Sequence, residues 1–406
     1  MTESVDQLHQ YPLARGCPMH PPREYDAWRS DDNGISRVVL WNTKPAWVIT
    51  SFEAAQRMLR EAPLGADRTN PGYPIEAPIH AGGPTGKSFR SMDGEPHAFY
   101  RRLLAREFSA RAIESIRPRI QQILGQLIAN IKSRGNTADL VTDLALPLTM
   151  QVICTHLGVP LKDRLAFDGW ITDLLGRTGD PTAAREAGAS ISNYLLNLID
   201  HKIAEPADDL ISRVTSGPLE RGEISREDAL FTIMILLVGG YESTASSMST
   251  GIFALLETPE QATRVRAGLT PEEAVGMVEE VLRFTSVTDA GADRYVVEDF
   301  EMFGTQFHAG DGVIFHLPSA NRDPAAYENP NEFDIGRAGP RHLAFGHGPH
   351  QCVGQNLARA EILEAIPTIF RELPNLRLTI PAEDVAFREN ALVLGVSTLP
   401  VTWDAP

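Results

Sequence analysis

The sequence of 406 residues is 43% hydrophobic and 22% charged, with 32 glycines and 29 prolines, a composition of folded globular proteins rather than of disordered or fibrous chains. At about 150 residues per domain, this length alone allows two or three domains. Thirty-seven basic against 53 acidic residues leave a net charge of −16, which repels a phosphate backbone and excludes nucleic acid as the expected partner.

The opening MTESVDQLHQYPLARG has neither the basic start nor the apolar stretch of a signal peptide, so a cytoplasmic protein is expected. SRVVLWN and PAWVIT, separated by Thr43, Lys44 and Pro45, predict a small hairpin. SFEAAQRMLREA then starts with a serine cap and an acid and continues with apolar residues at helical spacing. The Gly/Pro-rich stretch from Pro63 to Gly94 follows, and an irregular segment of that length in a compact protein is functional or disordered.

From Pro96 to about Leu282 the chain reads as successive helices. Arg101 to Arg119 carries six arginines against Glu107 and Glu114 and is either a docking face for an acidic partner or a solvated helix surface. The most apolar run, Leu230 to Val238, falls short of the roughly 20 residues that cross a bilayer, so no membrane span is expected. Gly239 and Gly240 interrupt the longest helical pattern, each at about 1 kcal/mol relative to alanine; close helix packing or room for a ligand would account for them. β signals return at DRYVVED, EMFGTQF and GVIFHLP, and LVLGVSTLPVTW closes the chain with β character. Without repeats or a dividing linker, one mainly α domain over 1–406 with a minor β part is expected.

Three cysteines, Cys17, Cys154 and Cys352, are widely separated and form no Cys-x-x-Cys pair, which argues against a disulfide framework or a zinc finger. Cys154 lies in an apolar helical context and reads as a small buried hydrophobe. Cys352 lies in FGHGPHQCVG (Phe345 to Gly354), just before the helical pattern QNLARAEIL. The positive end of a helix and nearby amides favour a thiolate there, which suits a nucleophile, a metal ligand or a residue in a tight turn.

The pattern Phe345-Gly346-x-Gly348-x-His350-x-Cys352-x-Gly354 resembles the haem-ligand signature of the cytochromes P450. The resemblance, closest to soluble bacterial forms, implies a mainly helical P450 fold with haem b (iron protoporphyrin IX) between the long central helix and the cysteine-loop helix. It makes Cys352 the thiolate ligand of the iron. Glu280-x-x-Arg283 and, downstream, Phe333, Asp334 and Arg337 match the family's buried ion network that holds the cysteine loop. His97 and Arg101, four residues apart, resemble the family's His-x-x-x-Arg pair, and with Arg294 and His350 they are the implied anchors of the haem propionates. His342 and His347 are assigned to packing or surface.

The same resemblance aligns Gly240, Glu242 and Ser243 with the family's Ala/Gly-Gly-x-Asp/Glu-Thr segment, where the helix is distorted and an acid and an alcohol deliver protons during oxygen activation. Serine replaces the usual threonine and lacks the methyl that restricts its rotamer; Thr244 is an additional hydroxyl about 100° round the helix. Electrons are implied to come from a ferredoxin and its NAD(P)H-dependent reductase, with the arginine-rich stretch facing the acidic ferredoxin. The substrate-selecting segments are placed at Leu64 to Arg90, Phe167 to Asn197, Ile235 to Gly239 and the turn SVTDAGA. Phe89, Trp170, Leu174 and Val287 beside Asn70, Thr288 and Asp289 point to a medium-sized, mostly apolar organic molecule, as in secondary metabolism. The expected activity is that of a haem-thiolate monooxygenase. Oxidative coupling, desaturation, nitric-oxide reduction and a haem-binding sensor are the alternatives; Glu242 argues against nitric-oxide reduction, and the acid–alcohol pair against a sensor.

Overall fold

The computed structural model describes residues 8–15, 17, 19–31, 33–76, 88–174, 181–288, 292–339, 341–388 and 393–404. In chain order, strand β1 (His9–Gln10) precedes helix α1 (Glu24–Asp31), strands β2 (Ile35–Val39) and β3 (Pro45–Ile49), and helix α2 (Phe52–Glu61). Strand β4 (Leu64–Gly65), α3 (Gly94–Ala105), α4 (Ala110–Ser133), β5 (Thr137–Asp139), a π-helical turn over Val141–Ala145 and α5 (Leu146–Leu157) follow. Then come α6 (Arg164–Leu174), α7 (Pro181–Ala204), α8 (Leu210–Val214), α9 (Arg226–Leu256), α10 (Pro259–Ala267) and α11 (Pro271–Thr285). Strands β6 (Arg294–Val296), β7 (Phe300–Met302), β8 (Thr305–Phe307) and β9 (Gly312–Phe315) lead to α12 (Leu317–Ala320), α13 (Gln355–Glu372), β10 (Arg377–Leu378) and β11 (Pro400–Thr402). The mainly α composition with a minor β part is as the sequence predicts. Helices α1, α10 and α12 are additions to that reading, and α12 takes Leu317 and Pro318 from the β signal GVIFHLP.

Contacts divide the chain into two compact units, Met1–Arg101 with Glu279–Cys352, and Arg102–Val278 with Val353–Pro406. The first unit is built on a six-stranded sheet in the order β1-β2-β3-β9-β6-β4. The predicted hairpin is its antiparallel β2/β3 pair, with Ile35 opposite Ile49, and β9 runs parallel beside β3. Ser51 caps α2 by accepting a hydrogen bond from the Ala54 amide, and the stripe Phe52, Ala55, Met58 and Leu59 turns inward onto Ile49, Phe307, Val313 and Phe315.

The second unit is helical, with a small sheet in the order β10-β11-β5. Its axis is α9, 31 residues long, begun by a capping box between Ser225 and Asp228 and packed against α5, α7 and α13. The short apolar run seen in the sequence understates this helix, which is long and apolar enough to cross a membrane by length and composition. Yet 67% of its most apolar window is buried inside the protein, so its apolar surface already forms the core of the unit.

Candidate active site

The cysteine loop belongs to the first unit and is shaped by backbone bonds. The Cys352 amide donates to the Phe345 carbonyl at 2.8 Å, Gly346 N to Leu343 O at 2.8 Å, and Gln351 N to Gly348 O at 3.0 Å. Gly346 and Gly348 take φ of 69° and 73°, a region open to glycine, and a Cβ on Gly348 would collide with the Leu59 carbonyl at the end of α2. Cys352 emerges exposed, two residues before Gly354, the N-cap of α13.

The loop is tied to the ion network predicted around Glu280. This carboxylate, on a side chain 2% exposed, accepts from Arg283 at 2.7 and 2.8 Å and from Arg337 Nε at 3.2 Å on both oxygens. Two guanidiniums around one buried carboxylate leave excess positive charge. The carbonyls of Asn321, Pro330 and Glu332 take up Arg283's remaining donors, and those of Glu328, Asn329 and Glu332 take up Arg337's. Asp334 enters through its backbone amide, which donates to Glu280, while its side chain caps Gly336. The sequence did not single out Asn321, whose Oδ1 accepts from Leu343 N at 2.7 Å and whose Nδ2 donates to Ser286. It joins the network to the cysteine loop.

His97, on α3, is buried, and its Nε2 has no hydrogen-bond partner. Burial, reinforced by the neighbouring His350 and Arg101, pushes its pKa down to about 4, so at neutral pH it is an uncharged imidazole. Its ring stacks on His350 at 4.0 Å. His350 Nε2 in turn lies 3.0 Å from Asp93, whose other oxygen accepts from the Ala66 amide, a partner that the sequence reading missed. Arg294, on β6, is buried and Arg101 half-buried, and burial lowers both pKa values; Cys352 acts on Arg101 in the opposite sense. His342 is buried, accepts from the Ala344 amide and has its Nε2 3.3 Å from a Glu279 oxygen, and His347 is half-exposed.

In the second unit α9 runs helical without a break through Gly239–Thr244, so the distortion implied by the resemblance does not interrupt it. The two glycines differ. A Cβ on Gly240 would sit 2.8 Å from Cδ1 of Ile153 on α5, which makes it a packing glycine, whereas one on the exposed Gly239 would meet nothing within 4 Å. Glu242 and Thr244 are buried, and the Ser243 hydroxyl donates to the Gly239 carbonyl at 2.9 Å. Glu242 Oε1 accepts from Arg388 at 2.7 Å, and the same guanidinium donates to Ser246 at 2.8 Å; neither Arg388 nor Ser246 stood out in the sequence. Among the substrate-segment residues, Phe89 and Val287 are buried, and Asp289 lies outside the described residues. A groove of about 540 Å³ between α4 and α13, lined by Gln121, Leu124, Ile128, Glu364 and Arg371 among others, contains none of the candidate residues.

Residues 275–401, which include Glu280, Arg283 and the cysteine loop, match the family model of cytochrome P450. Pentalenic acid synthase of Streptomyces avermitilis is 38% identical over 99% of this chain and 100% of its own length. The chain belongs to the cytochrome P450 family. Among solved structures, that of GfsF superposes on this P450 with a TM-score of 0.92 at 35% identity, covering 97% of this chain and 100% of the other. The mycinamicin VIII C21 methyl hydroxylase MycCI of Micromonospora griseorubida, solved with mycinamicin VIII bound, gives 0.90 at 30% identity over 98% and 100%.

The family makes this P450 a haem-thiolate monooxygenase acting on small organic molecules with O2 and a redox partner. The residues of the first unit fit the cofactor. Two haem propionates need cations and hydrogen-bond donors, and Arg101, Arg294 and the buried, unpartnered His97 Nε2 supply both kinds. Among the described residues no three His, Cys, Asp or Glu side chains could hold a bare metal ion.

Proposed function

We propose that the chain works as one domain over 1–406, binds haem b through Cys352, and hydroxylates a medium-sized, mostly apolar organic metabolite. The overall balance is one substrate C–H, one O2, two electrons and two protons giving one C–OH and one water. When bound, the haem supplies the centre at which O2 is reduced and one oxygen atom passes to the substrate. The observation that carries this reading is the exposed Cys352 held by glycine-shaped backbone turns beside the His97, Arg101 and Arg294 cluster.

Cys352 gives the thiolate, and Phe345, Gly346, Gly348 and Gly354 set the approach of the backbone to the porphyrin. His97, Arg101, Arg294 and His350 hold the propionate side, with Asp93 fixing His350. Ser243 and Glu242 pass protons to the oxygen chemistry, Thr244 is a reserve hydroxyl, and Gly239 rather than Gly240 keeps the helix face clear. Ser243 reaches this role by giving up its bond to the Gly239 carbonyl.

Support for the substrate class comes from the apolar residues Phe89, Trp170, Leu174 and Val287 and from relatives named for pentalenic acid and mycinamicin VIII. An acidic ferredoxin with its NAD(P)H-dependent reductase, in the cytoplasm, is the proposed electron source. Arg102, Arg106 and Arg111 are exposed, as a basic docking face requires, while Arg117 is engaged by Glu114 and Glu364.

The test is the reduced carbon monoxide spectrum of haem-loaded protein. The strongly red-shifted Soret band of thiolate ligation is expected, and Cys352→Ala is expected to abolish it. Survival of that band in the variant, or its absence from the folded, haem-loaded parent, refutes the ligand assignment.

A further inference from the structure

Beyond β10, Ala386–Arg388 pair with Gly395–Ser397, and both stretches meet α9. Phe387 bridges Val396, the Arg388 amide donates to the Gly395 carbonyl at 2.9 Å, and the Ser397 amide to Ala386 at 2.7 Å. Glu242, Ser246 and Thr250 recur every four residues and so form one stripe of α9. Each meets this returning segment. Thr250 Oγ1 accepts from the Val396 amide at 3.3 Å, Ser246 and Glu242 accept from Arg388, and further along Phe253 packs edge-on against Phe387 at 5.5 Å. Gly395, at φ 140°, lies so close that a Cβ would approach Thr250 Oγ1 to 2.9 Å and Ser246 Cβ to 3.1 Å. The segment is therefore set in register on the helix, and that register delivers the Arg388 guanidinium to Glu242.

We infer that Arg388 is a positioning residue for proton delivery, holding the Glu242 carboxylate ionised and oriented from the carboxy-terminal segment. This rests on the reading of Glu242 as the proton-delivering acid. The side chains of Glu242 and Arg388 are 5% and 9% exposed. A carboxylate so buried is costly without a cation beside it, and Arg388, itself held by the accepting Ser246 hydroxyl, supplies that cation. Arg388 engages the carboxylate at Oε1. Arginine suits the task because a single guanidinium nitrogen, Nη1, reaches Glu242 and Ser246 at once and the group does not itself release a proton.

The experiment needs no substrate. Haem-loaded wild type, Arg388→Gln, Arg388→Lys, Glu242→Gln and the Arg388→Gln/Glu242→Gln double variant are compared in two ways. Infrared spectra of the resting proteins report a protonated carboxyl. NADPH, a plant-type ferredoxin and its reductase then drive O2 reduction, and the reducing equivalents are divided between hydrogen peroxide (two electrons, two protons) and water (four electrons, four protons). Arg388→Gln is expected to gain a carboxyl C=O band that the double variant lacks. It is also expected to lower the share recovered as water by about tenfold or more, with Arg388→Lys restoring most of that share and showing no band. Arg388→Met replaces the glutamine variant if the latter does not fold. An unchanged water share, or an altered one without a band that depends on Glu242, overturns the inference. A Glu242→Gln protein that still makes the wild-type share of water overturns the relay itself, whereas a defective Glu242→Gln beside a normal Arg388→Gln sinks the role of Arg388 alone.

Discussion

The two adjacent glycines of α9 make opposite predictions for the same substitution. Gly239→Ala places its Cβ where no atom lies within 4 Å, so the only expected effect on folding is the helix-propensity gain of about 1 kcal/mol. Gly240→Ala has the same gain but sets a Cβ 2.8 Å from Cδ1 and 3.0 Å from Cγ1 of Ile153, itself 1% exposed in the α5–α9 interface. Overpacking of that kind costs about 1–3 kcal/mol, leaving a net destabilisation of roughly 0–2 kcal/mol. Thermal unfolding of the haem-loaded proteins, followed by far-ultraviolet circular dichroism at one scan rate, should rank Gly239→Ala at or above wild type and Gly240→Ala below it. Ile153→Val removes the nearest clashing methyl. Its own cost of about 0.5–1.5 kcal/mol should therefore fail to add to that of Gly240→Ala, the double variant being more stable than the sum. Equal shifts for the two alanines, or strict additivity with Ile153→Val, would refute the assignment of Gly240 to packing. Gly239→Ala should instead show its effect in turnover.

Glu280→Gln leaves Arg283 and Arg337 buried around a neutral amide, a loss of about 3–5 kcal/mol; lower stability and a smaller thiolate carbon monoxide band per protein are expected, measured by thermal unfolding and absorbance. His20 is pushed down from 6.5 to about 4 by burial first, then by Arg322, Arg15 and Arg23. The unfolded chain takes up this proton below about pH 6.5 and the folded one only near 4, so His20 should make stability fall as pH drops through that window. His20→Gln should flatten this part of a stability–pH profile, and a profile unchanged by the substitution would count against it.

What the sequence made legible was whatever chemistry packs into short intervals. The cysteine loop occupies ten residues, Glu280 and Arg283 share one helical turn, and Ser51 announces α2 through its cap. The missed residues act across long intervals: Asp93 meets His350 from 257 residues away, Arg388 meets Glu242 from 146, and Asn321 meets Arg283 from 38. Nothing local marks an arginine or an asparagine for such partners. Helix α10 is not legible in the sequence because it buries only Ala262 and Val265, too thin an apolar stripe to show periodicity. The bond from Ser243 to Gly239 is likewise invisible in a sequence, since any helical serine can make it or turn away.

Cys352, the Glu280 ion network, His97, Arg101 and Arg294 all fall in Met1–Arg101 and Glu279–Cys352, whereas α9 with Glu242 and Ser243, and Arg388, fall in the other unit. Substitutions around Glu242 and Arg388 are thus absorbed by a different packing network from those around Cys352, and their effects on stability are expected to add. Exchange of segments cut near Arg101, Val278 and Cys352 would disturb the fewest contacts within either network.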